Sequence, residues 1–316
     1  MTATTTQPPA IAPEPHAPPP WTDRTDIPGR ALQPTLSMAG TLDRCVLLSF
    51  RTPADSVQHL LPPGLELMRR GPYAFWNIVL CHVRKMRPVG VPEALGMSYH
   101  HIAYRLRVQA MTDRADTRQG LYFVRSDADA SLLGAVGNRL SDFNFHRAAV
   151  DWQTQRHTER IDVTTADGNA NASLVFTRTP PATHPADSCF PTAADARAAL
   201  KYEPLGLAVN ERGQLKLAEV FRDETQWRED VIDVTETRFE FFGRVGQSDA
   251  KLELATQVSP LPYRWRLGRR ERLLTPPTPE LDTPTQPLAQ TQTPDATQRR
   301  QPAIAKPHTT PPVALA

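Results

Sequence analysis

Three polar side chains in otherwise apolar segments carry the chemistry that this sequence offers: His101, Arg105 and His146. An arginine guanidinium recognises a carboxylate or an enolate through paired hydrogen bonds. An imidazole can move a proton near neutral pH. The three groups together predict a polar cavity that binds a small anionic molecule. The plainer alternative is that His101 and Arg105 line the wet face of one strand, while His146 is a hydrogen-bonded histidine at a sheet margin.

Metal chemistry is not indicated. His100, His101 and His146 are the nearest candidates, but adjacent residues of a strand point to opposite faces, so His100 and His101 cannot serve one ion without a bulge. No motif indicates a cofactor. The three cysteines lack metal-ligand or disulfide-framework spacing; they are Cys45, Cys81 and Cys189.

Cys81 and the pair Asp127 and Asp129 could be catalytic, but a structural role is favoured for each. Cys81 alternates with Val79 and Val83, which favours a small buried hydrophobe over a nucleophile. Asp127 and Asp129 precede an apolar helical pattern at residues 130–140, and they are expected to cap that helix rather than to act as an acid and base pair.

Side-chain alternation predicts the strands that position these groups. In residues 99–110 an apolar set faces one way and a polar set, including His101 and Arg105, faces the other. Residues 143–152 also have a period of two, with Phe145 on one face and His146 on the other. The apolar set of the first strand is Ile102, Tyr104, Leu106 and Val108.

The rest of the folded part is predicted to form strands joined by hairpin turns. Three short helices are predicted at residues 52–61, 130–140 and 192–202. This pattern predicts an α+β fold with a predominantly antiparallel sheet. Further strands are expected at residues 45–50, 73–83, 120–126, 172–178, 204–210, 215–221 and 261–267.

The 32 prolines are concentrated at the two ends of the 316-residue chain. Residues 1–37 and 273–316 are rich in Pro and Thr and poor in the apolar residues that offset the entropy of ordering, which predicts disordered tails. A single domain is expected at residues 38–272. Proline-rich tails can also dock a proline-recognising partner, so a non-catalytic interaction protein is the alternative function.

The formal net charge of +2 argues against a nucleic-acid partner, which would need clustered cations. The N-terminus lacks the basic and apolar regions of a secretory signal, and the longest apolar run is far too short to span a membrane. A cytoplasmic location without membrane contact is therefore expected. The sequence gives no indication of the oligomeric state.

Three segments carry a family resemblance: "LLPPGLELMRRGPYAFWNIVLCHVRKMRP", "GLYFVRSDADASLLGAVGNRLSDFNFHRAAV" and "LKYEPLGLAVNERGQLKLAEVFRDETQW". They resemble the family called domain of unknown function 2071, which is similar to acetoacetate decarboxylase. The resemblance implies a partly closed β-barrel or cone with a few flanking helices.

The decarboxylase relatives use a lysine that forms a Schiff base, which requires an amine of lowered pKa. The corresponding stretch here, "SDFNFHRAAVDW", contains His146 and Arg147 but no lysine. His101 occupies the place where relatives would carry a glutamate, and Arg105 matches an arginine of the family pattern. Lys216 alternates with leucines and is predicted to point outward. The resemblance therefore implies a small-molecule cavity without a Schiff-base lysine, and it leaves open whether the bound molecule is transformed.

Overall fold

Strands dominate the described part of the chain, as the sequence predicts. The predicted tails lie almost entirely outside the described residues, and so do residues 131–136 of the predicted helix 130–140. A computed structural model describes residues 35–114, 117–130, 137–181, 183–201 and 203–274.

The described residues form fourteen strands and a few short helices. The strands are β1 (Leu36–Pro53), β2 (Leu65–Leu67), β3 (Tyr73–Pro88), β4 (Met97–Met111), β5 (Thr117–Ala128), β6 (Phe145–Gln155), β7 (Thr158–Thr165), β8 (Ala172–Thr177), β9 (Leu205–Val209), β10 (Gln214–Arg222), β11 (Glu229–Val231), β12 (Asp233–Phe239), β13 (Lys251–Val258) and β14 (Leu261–Arg272). The helices are α1 (Asn138–Ser141), α2 (Ala193–Ala199) and α3 (Glu240–Arg244), with 3-10 turns at Ala54–Ser56, Gln58–Leu60 and Glu93–Leu95.

Hydrogen-bonded pairing leads from β4 through β5, β9, β10, β14, β1 and β3 and back to β4, and we call these seven strands the ring. All of these pairs are antiparallel except β5 with β9. A second set of strands, β6, β7, β8 and β12, continues from β5 through a parallel pairing with β6. We call this set the outer sheet.

Two apolar clusters lie on opposite faces of the ring strands. The inner cluster draws residues from every ring strand, so it lies within the ring; examples are Cys45, Val79, Ala103, Phe123 and Tyr263. The outer cluster packs the other face of the ring strands against the outer sheet and α3; examples are Leu48, Trp76, Tyr104, Leu174 and Phe241. The ring strands are thus covered on both faces, which explains their long buried runs.

Strand β4 shows the predicted alternation, with Ile102 and Tyr104 in the outer cluster and Ala103 in the inner one. The expected wet face, however, is buried: His101 is 4% exposed and Arg105 is 3% exposed. The cause is the pairing of distant strands into the ring, which covers the face that sequence alternation assigns to solvent.

Strand β5 contains a bulge opposite β4. Tyr104 pairs with Arg125, but the next residue, Arg105, pairs with Phe123, so Val124 is an extra residue in β5. A bulge of this kind shifts the alternation of the bulged strand by one residue. Phe123 therefore faces the ring interior, whereas Arg125 faces the outer sheet.

Two of the predicted helices can be compared with the structure. The helix expected at residues 52–61 is replaced by two 3-10 turns, because Pro53 at one end and the Pro62–Pro63 pair at the other leave too few residues for a stable α-helix. The helix expected at residues 192–202 is α2, and the Thr192 hydroxyl accepts a hydrogen bond from the Asp195 amide at 3.1 Å, as a cap should.

Within the described ranges, none of the helices has the length and apolar character that a membrane crossing requires.

Candidate functional site

The inner cluster does not fill the ring, and a cavity remains among its side chains. The empty space between these side chains amounts to about 680 Å³ when the region open to solvent is included, so only part of this space is enclosed. Its walls are mostly apolar and aromatic, and its polar lining comes from Arg105, His101 and Arg222. The apolar walls include Leu47, Val79, Phe123, Phe143, Tyr263 and Trp265.

Arg105 reaches the cavity from the middle of β4. Its guanidinium donates to the side-chain oxygen of Asn77, and its Nε donates to the Asn77 carbonyl oxygen at 3.4 Å. The guanidinium carbon lies 5.5 Å from the centre of the Phe123 ring. The neighbouring strand β3 and this aromatic face hold the cation in one position beside the cavity.

His101 lies four residues before Arg105 on the same face of β4, with Ala103 between them. Its ring centre is 5.2 Å from that of Phe145. Burial, together with the charge of Arg105, lowers the pKa of His101 to about 3. The imidazole is therefore neutral at physiological pH, and its buried Nε2 has no hydrogen-bond partner among the described residues. A neutral imidazole nitrogen in this position can exchange a hydrogen bond with a ligand.

Arg222, which the sequence analysis missed, brings a second guanidinium to the cavity from the end of β10. Its side chain is 2% exposed, its guanidinium carbon lies 3.4 Å from the centre of the Trp227 ring, and its Nε donates to Glu224 at 2.8 Å. Alternation along β10 could have revealed it, because Ala218, Val220 and Arg222 share the face that lines the cavity.

The described lining contains two arginines and no aspartate or glutamate. Trp265 adds a further polar atom, since its indole Nε1 is buried and has no hydrogen-bond partner among the described residues. An indole nitrogen can only donate, so a ligand atom that meets it must be an acceptor. The polar lining therefore favours an anion with acceptor oxygens.

A stacked aromatic pair forms one wall of the cavity. The rings of Phe123 and Phe143 lie 3.8 Å apart with 6° between their planes. Gly206 makes room for them, because a Cβ at this position would lie 2.9 Å from the Phe123 ring and 3.0 Å from the Phe143 ring. The wall offers a flat apolar surface to a ligand.

Cys45 and Cys81 line the cavity but are not activated thiols. Burial raises the pKa of Cys81 to about 12, and it raises the pKa of Cys45 well above its usual range. Both groups remain protonated at neutral pH, so neither provides the thiolate that nucleophilic catalysis needs. The interpretation of Cys81 as a small buried residue agrees with this placement.

The structure does not bring His146 to Arg105 and His101. Phe145 packs in the inner cluster, so the next residue, His146, points to the opposite face. His146 is hydrogen-bonded to Asn144 at 3.1 Å, and its Nδ1 lies 3.7 Å from an oxygen of Asp167. The expected convergence of the three groups is thus corrected to a pair, with His146 outside the cavity.

His146 instead adjoins an ion cluster on the outer face of β5. Arg125 donates to both oxygens of Asp127 and to both oxygens of Asp167, at distances from 2.6 to 3.2 Å. Hydrogen bonds from Arg125 hold the pKa of Asp167 well below its usual range. Asp127 therefore lies within β5 as an arginine partner, rather than at the helix start that the sequence predicted.

Lys216 does not point outward as expected. Leu215 and Leu217 belong to the outer cluster, so Lys216 takes the inner face of β10; it is 7% exposed, and its Nζ lies 2.5 Å from an oxygen of Asp142. The lysine is absent from the described lining of the cavity. Alternation identified the strand but not which of its faces meets solvent.

No group of three or more histidine, cysteine, aspartate or glutamate side chains in the described part of the chain is placed to hold a metal ion.

Comparison with known families identifies the chain. The family model of uncharacterised conserved proteins called domain of unknown function 2071 matches residues 40–228. The chain belongs to this family, and the resemblance predicted from the three sequence segments is confirmed. A comparison with curated protein sequences finds no match.

Solved structures similar to this chain include acetoacetate decarboxylase-like proteins. An acetoacetate decarboxylase-like enzyme from Sphingomonas wittichii RW1 is 14% identical, with 76% of this chain and 93% of that chain covered and a TM-score of 0.48. Acetoacetate decarboxylase from Legionella pneumophila is 12% identical, with 79% and 93% covered and a TM-score of 0.49. MppR, an enduracididine biosynthesis enzyme complexed with pyruvate, is 13% identical, with 78% and 92% covered and a TM-score of 0.46. The expected architecture of mostly β-sheet with few helices is confirmed.

Proposed function

We propose that the chain binds a small organic anion inside the ring, which we interpret as the barrel or cone that the family resemblance implies. Arg105 binds the acidic group of the ligand, Arg222, whose Nε is paired with Glu224, adds guanidinium N–H donors, and His101 and Trp265 hydrogen-bond to further oxygen atoms. The apolar body of the ligand packs against the Phe123 and Phe143 wall.

One observation carries the proposal: a largely apolar cavity is lined by two buried guanidinium groups and by no carboxylate among the described residues. Charges in a low-dielectric interior interact strongly, because little water screens them. An anion that enters such a cavity exchanges its hydration for charge-assisted hydrogen bonds, which contribute about 1.5–3 kcal/mol each.

His101 is assigned to hydrogen bonding rather than to proton abstraction. General bases work best when their pKa lies near the working pH, and the pKa of His101 is about 3. Lys216 is likewise not assigned to Schiff-base chemistry, since its amine is ion-paired with Asp142. The proposal is therefore one of binding, with no reaction step attributed to these residues.

The test compares Arg105→Met with the wild-type protein by isothermal titration calorimetry, using acetate, benzoate, phenylacetate and succinate as probes. Benzamide, which has the shape of benzoate without its charge, is the ligand control. Arg147→Met is the matched protein control, because Arg147 is exposed on β6. We expect wild type and Arg147→Met to bind at least one carboxylate equally, and Arg105→Met to bind it about 10–100-fold more weakly.

Near-ultraviolet circular dichroism would verify that Arg105→Met keeps its tertiary packing. The proposal fails if none of the four carboxylates binds to the wild-type protein. It also fails if benzamide binds as tightly as benzoate, or if folded Arg105→Met retains wild-type affinity.

A further inference from the structure

Two cysteines face each other across neighbouring strands inside the ring. Cys45 of β1 and Cys81 of β3 are directly paired in the antiparallel register. Directly opposed residues of antiparallel strands place their side chains on the same face of the sheet. Both cysteines belong to the inner cluster and both line the cavity, so the two thiols share one wall.

The spacing of such a pair suits a disulfide. Opposed residues of antiparallel strands have Cα atoms about 4.5–5.5 Å apart, within the roughly 4.4–6.8 Å range of disulfides. Neighbouring residues on both strands continue the same register, since Val46 pairs with Leu80 and Leu47 with Val79. The backbone therefore needs no rearrangement of pairing to bring the two sulfur atoms together.

We propose that Cys45 and Cys81 form a reversible cross-strand disulfide when a small peroxide enters the cavity. The sulfur of one cysteine attacks a peroxide oxygen, the O–O bond breaks, and a sulfenic acid and one water form. The second sulfur attacks the sulfenic sulfur, the S–S bond forms, and a second water leaves with the remaining thiol proton. Hydrogen peroxide is reduced to two waters, and the two thiols are oxidised to one disulfide.

Burial of the thiols makes this reaction slow at neutral pH, because the attacking species is the thiolate. With the pKa of Cys81 raised to about 12, the thiolate fraction increases about tenfold for each pH unit. An ordinary exposed thiol reaches its maximal thiolate fraction above a pH of about 9. The oxidation rate of the pair should therefore keep rising with pH after that of an exposed thiol has levelled off.

The bond would also alter the cavity. Cys81 lies on β3 between Cys45 on β1 and His101 on β4, and these three residues occupy paired positions across the three strands. A disulfide would draw two of these side chains together and widen the space beside His101. Oxidation is thus expected to change the affinity of the cavity for an anion, and reduction is expected to restore it.

The experiment uses the full chain carrying Cys189→Ser, which removes the third cysteine and leaves only the pair. The folded protein is exposed to hydrogen peroxide, quenched, unfolded in guanidinium and labelled with N-ethylmaleimide. We expect both thiols to be lost together, with an intact mass lower by two hydrogens than that of the unlabelled reduced protein. Tryptic digestion should yield peptide 45–51 linked to peptide 71–84, and dithiothreitol should separate them.

Cys45→Ser in the same background is the matched control, and it should give no linked peptide and no mass lower by two hydrogens. The proposal is overturned if both thiols of the treated protein still react with N-ethylmaleimide, or if oxidation stops at sulfinic acid on either sulfur. A disulfide found only between two chains on a non-reducing gel would also overturn it. None of these readouts requires a bound anion, so disulfide formation and anion binding can succeed or fail separately.

Discussion

Two arginines on neighbouring strands have contrasting surroundings. Arg125 of β5 faces the outer sheet, where it makes hydrogen bonds with the carboxylates of Asp127 and Asp167. Arg105 of β4 faces the ring interior, where it donates to the neutral amide of Asn77 beside a cavity. Both side chains are buried, yet one is bonded to two carboxylates of the fold and the other lines a cavity that a ligand could enter.

The contrast separates a structural charge from a candidate binding charge. A buried ion pair satisfied within the protein is costly to break, because its loss leaves a charged group without compensation. A cation on the wall of an apolar cavity can instead receive its counter-charge from outside the chain. Burial and residue type alone do not distinguish these roles, whereas the identity of the neighbouring acceptors does.

The largest effect is expected at the ion cluster of Arg125, Asp127 and Asp167. Arg125→Met leaves Asp127, which is fully buried, without its arginine partner. Removing one member of a buried pair costs about 3–5 kcal/mol, so the free energy of unfolding in urea should fall by this amount. A loss below about 1 kcal/mol would show that the Arg125 ion cluster does not stabilise the folded state.

The double variant Arg125→Met with Asp127→Asn provides the control for this measurement. Because it removes the uncompensated charge as well as the cation, it should recover part of the lost stability. If both variants unfold at the same urea concentration, the loss in Arg125→Met arises from packing rather than from an unpaired carboxylate.

A smaller effect is expected from His101 as the pH falls. The folded pKa of about 3 lies below the value of about 6.5 in an unfolded chain, so between these values the unfolded state binds more protons. Stability is therefore lost as the pH falls through about 6.5. From pH 7.5 to pH 5 this single group should cost about 2 kcal/mol.

The measurement compares wild type with His101→Gln by urea unfolding at pH 7.5 and pH 5. Other groups also titrate in this range, but they are common to both proteins, so the difference in pH dependence reports His101. Wild type should lose about 2 kcal/mol more than the variant. Equal losses would mean that His101 is not held neutral in the folded protein.

The smallest effect is expected at His146. Its side chain is 35% exposed and lies 3.7 Å from Asp167, a geometry in which ion pairs contribute little. His146→Gln should change the free energy of unfolding by less than about 0.5 kcal/mol. In the calorimetric assay with a carboxylate probe, it should leave affinity unchanged, whereas His101→Gln should weaken binding. A large loss of affinity in His146→Gln would place this histidine back in the site.

Sequence alternation predicted that His101 and Arg105 share one face of β4, because a strand without a bulge keeps its period of two. It also placed His146 and Phe145 on opposite faces. It could not show that the face carrying Arg105 is buried, since burial depends on pairing between strands far apart in sequence, such as β10 with β14. For the same reason it assigned Lys216 to solvent.

The change of face in β5 had no signal in the sequence. Glycine often marks a bulge, but the extra residue here is Val124, inside an apolar run that reads as a regular strand. Asp127 was interpreted as a helix cap because it precedes the apolar helical pattern at residues 130–140, although it is a partner of Arg125. Arg222 was missed because the predicted strand ended at residue 221, one position before the guanidinium that lines the cavity.

Val124 has a consequence for how this protein could change. Deleting its single codon would place Arg125 directly after Phe123, and strict alternation would then keep Phe123 on the interior face and Arg125 and Asp127 on the outer face. Ser126 and Ala128 would likewise stay opposite Ala103 and His101. The chain could therefore shorten by one aliphatic residue at this position and still present the same side chains to the cavity and to the outer sheet.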